Sequence, residues 1–294
     1  MIVPFVKMHG CGNDFVVVNE FETFIPEEEK SKFSKHVCTY HFSVGADGVI
    51  FVRKPTNRKA EIKMQYFNAD GSEGPMCGNG IRVLVKFAVE KGLVPMKKQV
   101  DVETPVGIIR TYPKYSNNKV ISTRVDMGKP KIKLSDIPAV ATEETMIQKK
   151  INVPSFGILE ITAINTGVPH AIIFVDNVEK IDVTGIGRAV RSLTSIFPIG
   201  TNVDFVEVAS PTNLKVRTYE RGVEAETLAC GTGICASVVA SFLTNKIQPN
   251  VPITVDALGG VLKVEVSSSK GVPNRVYIEG PVEYAFKGEI AFET

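Results

Sequence analysis

Two cysteines stand in nearly the same local sequence, Met-Cys-Gly-Asn-Gly-Ile at 76–81 and Ala-Cys-Gly-Thr-Gly-Ile at 229–234. In each, a strand-like run leads through a loop to Cys-Gly-x-Gly, and a helical pattern starts directly afterwards. Cys77 and Cys230 are thereby placed at or just before helix N-termini, where unpaired N–H groups and the helix dipole favour negative charge. Such settings lower a thiol from its usual pKa of about 8.5 towards neutrality, so both cysteines are expected to be acidic and able to give or take a proton. Glycine lets other groups approach closely. The N–H groups of Gly78, Asn79 and Gly80, and of Gly231, Thr232 and Gly233, can cradle a carboxylate. One thiolate and one thiol on opposite faces of a carbon suit inversion of a stereocentre, since a single base tends to return the proton to the side it left. The Cα of an amino acid is a weak acid, and two helix N-termini aimed at its carboxylate in a cleft without water supply preorganised stabilisation of the carbanion.

The elements that must position these cysteines are mostly strands. Short, β-branched runs bounded by Gly, Asn, Asp or Pro predict strands at Phe15–Val18, Val49–Val52, Ile62–Phe67, Val100–Glu103, Ala171–Val175, Asp204–Val208, Leu214–Tyr219 and Val261–Val266. Helices are predicted at Ile81–Lys91, closed by Gly92, and at Thr232–Asn245. Weaker patterns cover Pro26–Tyr40, with acidic residues in its first turn, and Val183–Leu193.

These elements recur in one order. Gly12 answers to Gly167, Gly45 to Gly200, Cys77 to Cys230 and Gly107 to Gly260 at a nearly constant offset, which predicts a duplicated domain. Two copies related by an approximate twofold axis would bring the two cysteine loops to a shared cleft. The length of 294 residues agrees with two domains.

Composition removes several other classes. With 44% hydrophobic and 22% charged residues the chain is ordinary for a globular protein. A net charge of +2 without a concentrated basic stretch gives no footprint for nucleic acid or a membrane surface. The N-terminus lacks a basic segment followed by a long apolar run, and a cytoplasmic location is expected. Five cysteines, an odd number in a large chain, do not form a disulfide framework. The Gly-rich segments lack the dinucleotide-binding context. His36, Cys38 and His41 have no second cluster to complete a metal site. Neither cofactor nor metal is expected, and a homodimer is left open.

At MHGCGNDFVVV, GADG at 45–48, FNADGSEGPMCGNGIR at 67–82, GVPHA at 167–171, GTNVDFVEV at 200–208 and YERGVEAETLACGTGICA at 219–236, the sequence resembles the cofactor-independent diaminopimelate epimerases of the proline-racemase-like group. The resemblance covers nearly the whole chain. It implies an α/β fold of the α+β type: two pseudo-symmetric domains, each a curved, mainly antiparallel sheet wrapped around a central helix. The first domain would hold 1–125 plus a returning last strand in 283–294, and the second 126–282. The implied activity is interconversion of LL- and meso-diaminopimelate, a step towards lysine and cell-wall peptide. By matching position, Cys77 and Cys230 would be the two acid/base residues. Asn13, Asn68, Asn202 and Arg221 would hold the polar ends of the substrate, and Glu220 would meet the reacting ammonium. Gly78, Asn79, Gly231 and Thr232 would bind the reacting carboxylate through N–H groups, and His170 matches a family histidine placed near the site.

There are departures. Val168 stands where many members carry Asn, a contact that Asn165 is a candidate to replace, and Gly48 stands where some carry Gln. A racemase of another amino acid on the same scaffold is therefore the first rival. The second is a ligand-binding or thiol-redox protein with a switchable Cys77–Cys230 disulfide, against which the lack of Cys-x-x-Cys counts. Cys11, Cys38 and Cys235 are expected to be turn or packing residues, and His9 a turn or hydrogen-bonding residue.

Overall fold

A computed structural model describes residues 1–293. The chain divides into two compact units, Met1–Val125 with the segment from Glu279 onward, and Asp126–Ile278. None of the helices among the described residues is long and apolar enough to cross a membrane.

The first unit contains β1 (Ile2–Gly10), β2 (Asn13–Asn19), α1 (Glu27–Cys38), β3 (Gly48–Arg53), β4 (Ile62–Asn68), β5 (Glu73–Gly74), α2 (Gly78–Glu90), β6 (Val100–Thr104), β7 (Gly107–Ser116) and most of β8 (Lys119–Gly128). The second follows with β9 (Lys149–Val153), β10 (Gly157–Asn165), β11 (Pro169–Phe174), α3 (Val183–Arg191), β12 (Asn202–Ser210), β13 (Asn213–Glu220), β14 (Ala225–Thr227), α4 (Gly231–Leu243), β15 (Ile253–Ala257), β16 (Gly260–Ser269) and β17 (Val272–Gly280). The last strand, β18 (Glu283–Ala291), runs antiparallel to β1 in the first unit.

The repeat seen in the sequence is a repeat of topology. In the first unit β1–β2, β3–β4, β4–β5 and β6–β7 are antiparallel, while β2–β3 and β4–β6 are parallel. The second unit repeats this with β10–β11, β12–β13, β13–β14 and β15–β16 antiparallel and β11–β12 and β13–β15 parallel. Each parallel pair is joined through a helix, as a parallel connection requires. The matched turns agree in backbone as well: Gly45 and Gly200 share φ +72°.

Each unit has a helix at its centre. Every residue of α2 except Glu90 is buried, and α2 packs on β1, β2, β3, β4 and β7. α4 packs on β10, β11, β12, β13 and β16. α4, apolar nearly all round, is stable only when covered on all sides, and the strands provide the cover. The other sheet face carries α1 or α3. Phe15, Val16, Val17 and Val18 of β2 are all buried, and alternate residues Val16 and Val18 join Phe33 and Val37 of α1 in one cluster. In the second unit Val203 and Phe205 cluster with Val183 and Val190 of α3.

Both central helices end alike. Leu93 N–H bonds to Ala88 O and Gly92 N–H to Val89 O, while Lys246 N–H bonds to Ser241 O and Asn245 N–H to Phe242 O. This pair of bonds needs a left-handed residue after the helix, met by Gly92 at φ +72° and Asn245 at φ +54°.

Candidate functional site

Cys77 is the N-cap of α2, with extended backbone (φ −136°, ψ 119°), and its Sγ accepts from Gly80 N–H at 3.4 Å. Gly80 is tightly seated: a Cβ there would lie 3.3 Å from both Cys77 Cβ and Ile50 Cδ1. Behind the thiol runs an oriented chain of amides. Arg82, fully buried, donates through Nη2 to Asn79 Oδ1. That fixes the Asn79 amide so that its Nδ2 donates to Asn13 Oδ1 at 3.1 Å, and Asn13 Nδ2 in turn donates to Asp47 Oδ2 at 2.7 Å. Asn13 Oδ1 also lies 3.8 Å from Cys77 Sγ. Burial pushes the Asp47 carboxyl above the usual range, as does the nearby Asp14 carboxylate, against the bonds from Asn13 and from the Asp14 N–H. Asn68 sits at the end of β4, where Nδ2 donates to Ser72 Oγ at 3.0 Å within its own turn.

Cys230 is the N-cap of α4 and is buried. Its Sγ lies 3.3 Å from Thr232 Oγ1, which lies 3.0 Å from His170 Nε2. His170 Nδ1 is 2.7 Å from Asp204 Oδ2, and Thr218 Oγ1 donates to Asp204 Oδ1 at 2.7 Å. His170 and Asp204 are both fully buried. Sheet register assembles this chain: His170 of β11 lies beside Asn202 of β12, and Asp204 opposite Thr218 of β13. Gly233 is a close approach of helix to strand, since a Cβ there would overlap Asp204 Oδ1 and stand 3.2 Å from His170 Cε1.

Asn202 joins the same group. Its Oδ1 accepts from the Arg221 N–H at 2.7 Å and its Nδ2 lies 3.4 Å from His170 Nε2. The Arg221 guanidinium is held on the preceding turn by Ile199 O at 3.1 Å and Gly200 O at 3.4 Å. Glu220 Oε2 accepts from Thr227 Oγ1 at 3.0 Å. Thr166 Oγ1 donates to Thr232 O at 2.7 Å, tying the loop before β11 to the start of α4. Asn165 is spent on that loop, with Oδ1 accepting from Gly167 N–H at 2.9 Å and Nδ2 directed to Asp136 O at 3.4 Å.

The helix-terminus argument predicts acidic thiols, yet Cys230 is pushed well above the usual thiol range. Burial is the chief cause, the carboxylates of Glu220 and Asp204 add to it, and the Thr232 side chain and the Gly233 N–H, which can donate to a thiolate, offset only part. The helix N-terminus is present; desolvation and two carboxylates outweigh it.

Of the other residues singled out by sequence, Cys11 occupies the β1–β2 turn at φ +55°, and Cys38 is buried in α1 with its thiol pushed up to about 12 by burial. His36 is exposed while Cys38 faces the core, so they do not converge. Gly48 has no room for a side chain: a Cβ would lie 2.5 Å from Tyr66 Cε2 and 2.6 Å from Phe67 O. Val168 is half-buried just before β11. Sequence reasoning missed Asp204, Thr218, Asp47 and Arg82. The signal for Asp204 was a carboxylate between Val203 and Phe205 in an apolar strand, because a charge buried there requires partners.

The family model described as Diaminopimelate epimerase matches residues 5–133 and 162–284. The chain belongs to the diaminopimelate epimerase family. Among family members, the diaminopimelate epimerase of Methanocella arvoryzae is 44% identical over 288 residues, covering 98% of this chain and 96% of the relative. That of Aquifex aeolicus is 39% identical over 297 residues, covering 99% of each. The fold extends beyond the family. A hydroxyproline epimerase from Agrobacterium vitis superposes with a TM-score of 0.71 at 14% identity, covering 98% of this chain and 91% of that one. A phenazine biosynthesis protein of the PhzF family from Bacillus anthracis gives 0.73 at 17% identity, covering 99% of this chain and 100% of that one.

Proposed function

We propose that this chain interconverts LL- and meso-diaminopimelate by a two-thiol acid/base reaction, with the two units as its duplicated catalytic domains. The observation that carries the reading is the duplication itself: in a member of this family, two Cys-Gly-x-Gly segments each open a central helix with a cysteine as N-cap. One thiolate removes the Cα proton and the opposite thiol delivers another, so the S–H and C–H bonds exchanged balance and no cofactor is consumed. The mechanism requires the two sulfurs on opposite faces of Cα.

The N–H groups of Gly78, Asn79, Gly231 and Thr232 take the reacting carboxylate, where negative charge grows as the proton leaves. Glu220 takes the reacting ammonium. An ammonium there offsets the carboxylate that helps to raise Cys230, so substrate binding lowers the cost of a thiolate at that position. Asn13, Asn68, Asn202 and Arg221 hold the distal zwitterion, for which amides and an Arg fork are suited. Both thiols must stay reduced, in keeping with a cytoplasmic setting.

Substrate identity is tested by comparing kcat/KM for LL-diaminopimelate with values for lysine and other α-amino acids. Turnover of LL-diaminopimelate well above the rest is expected. Negligible turnover of it beside ready racemisation of another amino acid would establish the rival substrate.

A further inference from the structure

The hydrogen bonds around Cys230 have a direction that can be worked out atom by atom. Asn202 Oδ1 accepts from the Arg221 N–H at 2.7 Å, so its Nδ2 is the end turned to His170 Nε2 at 3.4 Å. An amide N–H₂ donates only, and Nε2 must therefore present its lone pair. The ring proton then sits on Nδ1, directed at Asp204 Oδ2 at 2.7 Å, and Asp204 is further fixed by the Thr218 hydroxyl donating to its other oxygen at 2.7 Å. With Nε2 an acceptor, the Thr232 hydroxyl spends its single proton on it at 3.0 Å. Thr232 Oγ1 has only lone pairs left for Cys230 Sγ at 3.3 Å, and that contact is satisfied by an S–H.

We propose that Asp204 is a positioning residue that, by fixing His170 as the Nδ1–H tautomer, polarises the Thr232 hydroxyl so that the free enzyme holds a proton on Cys230. For its catalytic meaning the inference rests on the two-thiol reading: the free enzyme is loaded for the direction in which Cys230 donates and Cys77 abstracts. When the S–H bond breaks and the new Cα–H bond forms, Thr232 can turn its proton from His170 Nε2 to the thiolate, beside the Gly233 N–H. The charged and titratable groups facing this chain are Asp204 from β12, Glu220 at the end of β13 and His170 from β11. The two carboxylates act in the same sense as the chain's polarity, opposing a thiolate.

The test reads the free thiol and the ring, without substrate. The pH dependence of Cys230 alkylation, followed by mass spectrometry of its own peptide, is compared in wild type and Asp204→Asn. The amide removes a negative charge and can donate to Nδ1, which reverses the tautomer and turns the Thr232 proton towards sulfur. The alkylation midpoint is expected to fall by at least one pH unit, giving about tenfold more thiolate at neutral pH. An unchanged midpoint in a folded Asp204→Asn protein would overturn the inference. A second measurement needs no variant at this position: ¹⁵N-histidine NMR of the wild type, with His170 assigned by its loss in His170→Gln, should show Nε2 unprotonated and Nδ1 protonated. An Nε2–H tautomer or an imidazolium near neutral pH would equally overturn it. Neither readout depends on turnover, so failure of the two-thiol mechanism, seen as full activity without one cysteine, is a separate result.

Discussion

At the scale of single residues, the two N-cap cysteines are alike in sequence and unlike in surroundings. Cys77 is half-buried against the oriented amides of Asn13 and Asn79, with Arg82 behind them. Cys230 is buried against a hydroxyl, an imidazole and two carboxylates. The pH dependence of activity follows from this. The proposed two-thiol reaction needs one thiolate and one thiol together, so kcat/KM should be bell-shaped, with apparent pKa values that belong to the pair. Because burial and carboxylates raise Cys230, the thiol form survives to higher pH and the alkaline limb should fall later than for an ordinary cysteine. In Glu220→Gln one raising group is gone, and that limb should move towards neutral pH. A profile that only rises with pH to a plateau would contradict the need for a thiol. Residue types and spacing made Cys77, Cys230 and their glycines legible. The carboxylate behind His170 was not, because Asp204 reaches the ring, and Thr218 reaches Asp204, only through strand register. Gly48, a departure from the family pattern, has a local cause in the Tyr66 ring that fills its side-chain space.

At the scale of elements, the predicted strands and helices coincide with observed ones to within a few residues, and the reason is burial on both faces. β2, β3 and β12 read as continuous β-branched runs because α2 or α4 covers one face and α1 or α3 the other. Several strands with less cover were missed, although the alternating β6 and β16 were found. β7 mixes exposed and buried positions around Arg110, Pro113 and Lys114, and β1 carries an exposed Pro4 and a buried Lys7 that pairs with Asp14 at 2.6 Å. The matched helix ends give a stability test. A Cβ at Gly92 would touch nothing within 4 Å, so Gly92→Ala should cost only the left-handed backbone penalty, about 1 kcal/mol. Asn245→Gly should be neutral or stabilising by a few tenths of a kcal/mol, while Asn245→Ala should cost about 1 kcal/mol. Urea unfolding of the three variants provides the check, and an Asn245→Ala protein as stable as wild type would argue against a conformational requirement there.

At the scale of the whole molecule, duplication accounts for the architecture, and the proposed chemistry draws on both copies. The two units repeat the same strand pairings, parallel and antiparallel, and each offers one cysteine at the start of its central helix. The proposed proton exchange with inversion needs two such groups, and the two repeats offer one each. The repeat was legible from Gly12, Gly45, Cys77 and Gly107 and their counterparts because those residues hold turns and helix starts that tolerate little else. The difference in surroundings between the two cysteines was not, since it resides in side chains such as Arg82 and Asp204 that differ between the copies. The most direct test of the two-thiol account is incubation of LL-diaminopimelate in deuterated water with wild type, Cys77→Ser and Cys230→Ser. Wild type should place deuterium at Cα of the inverted product, and each variant should lose epimerisation by at least about a hundredfold, the scale of a lost general acid or base. Wild-type turnover in either serine variant, or deuterium entering with retention, would contradict the account.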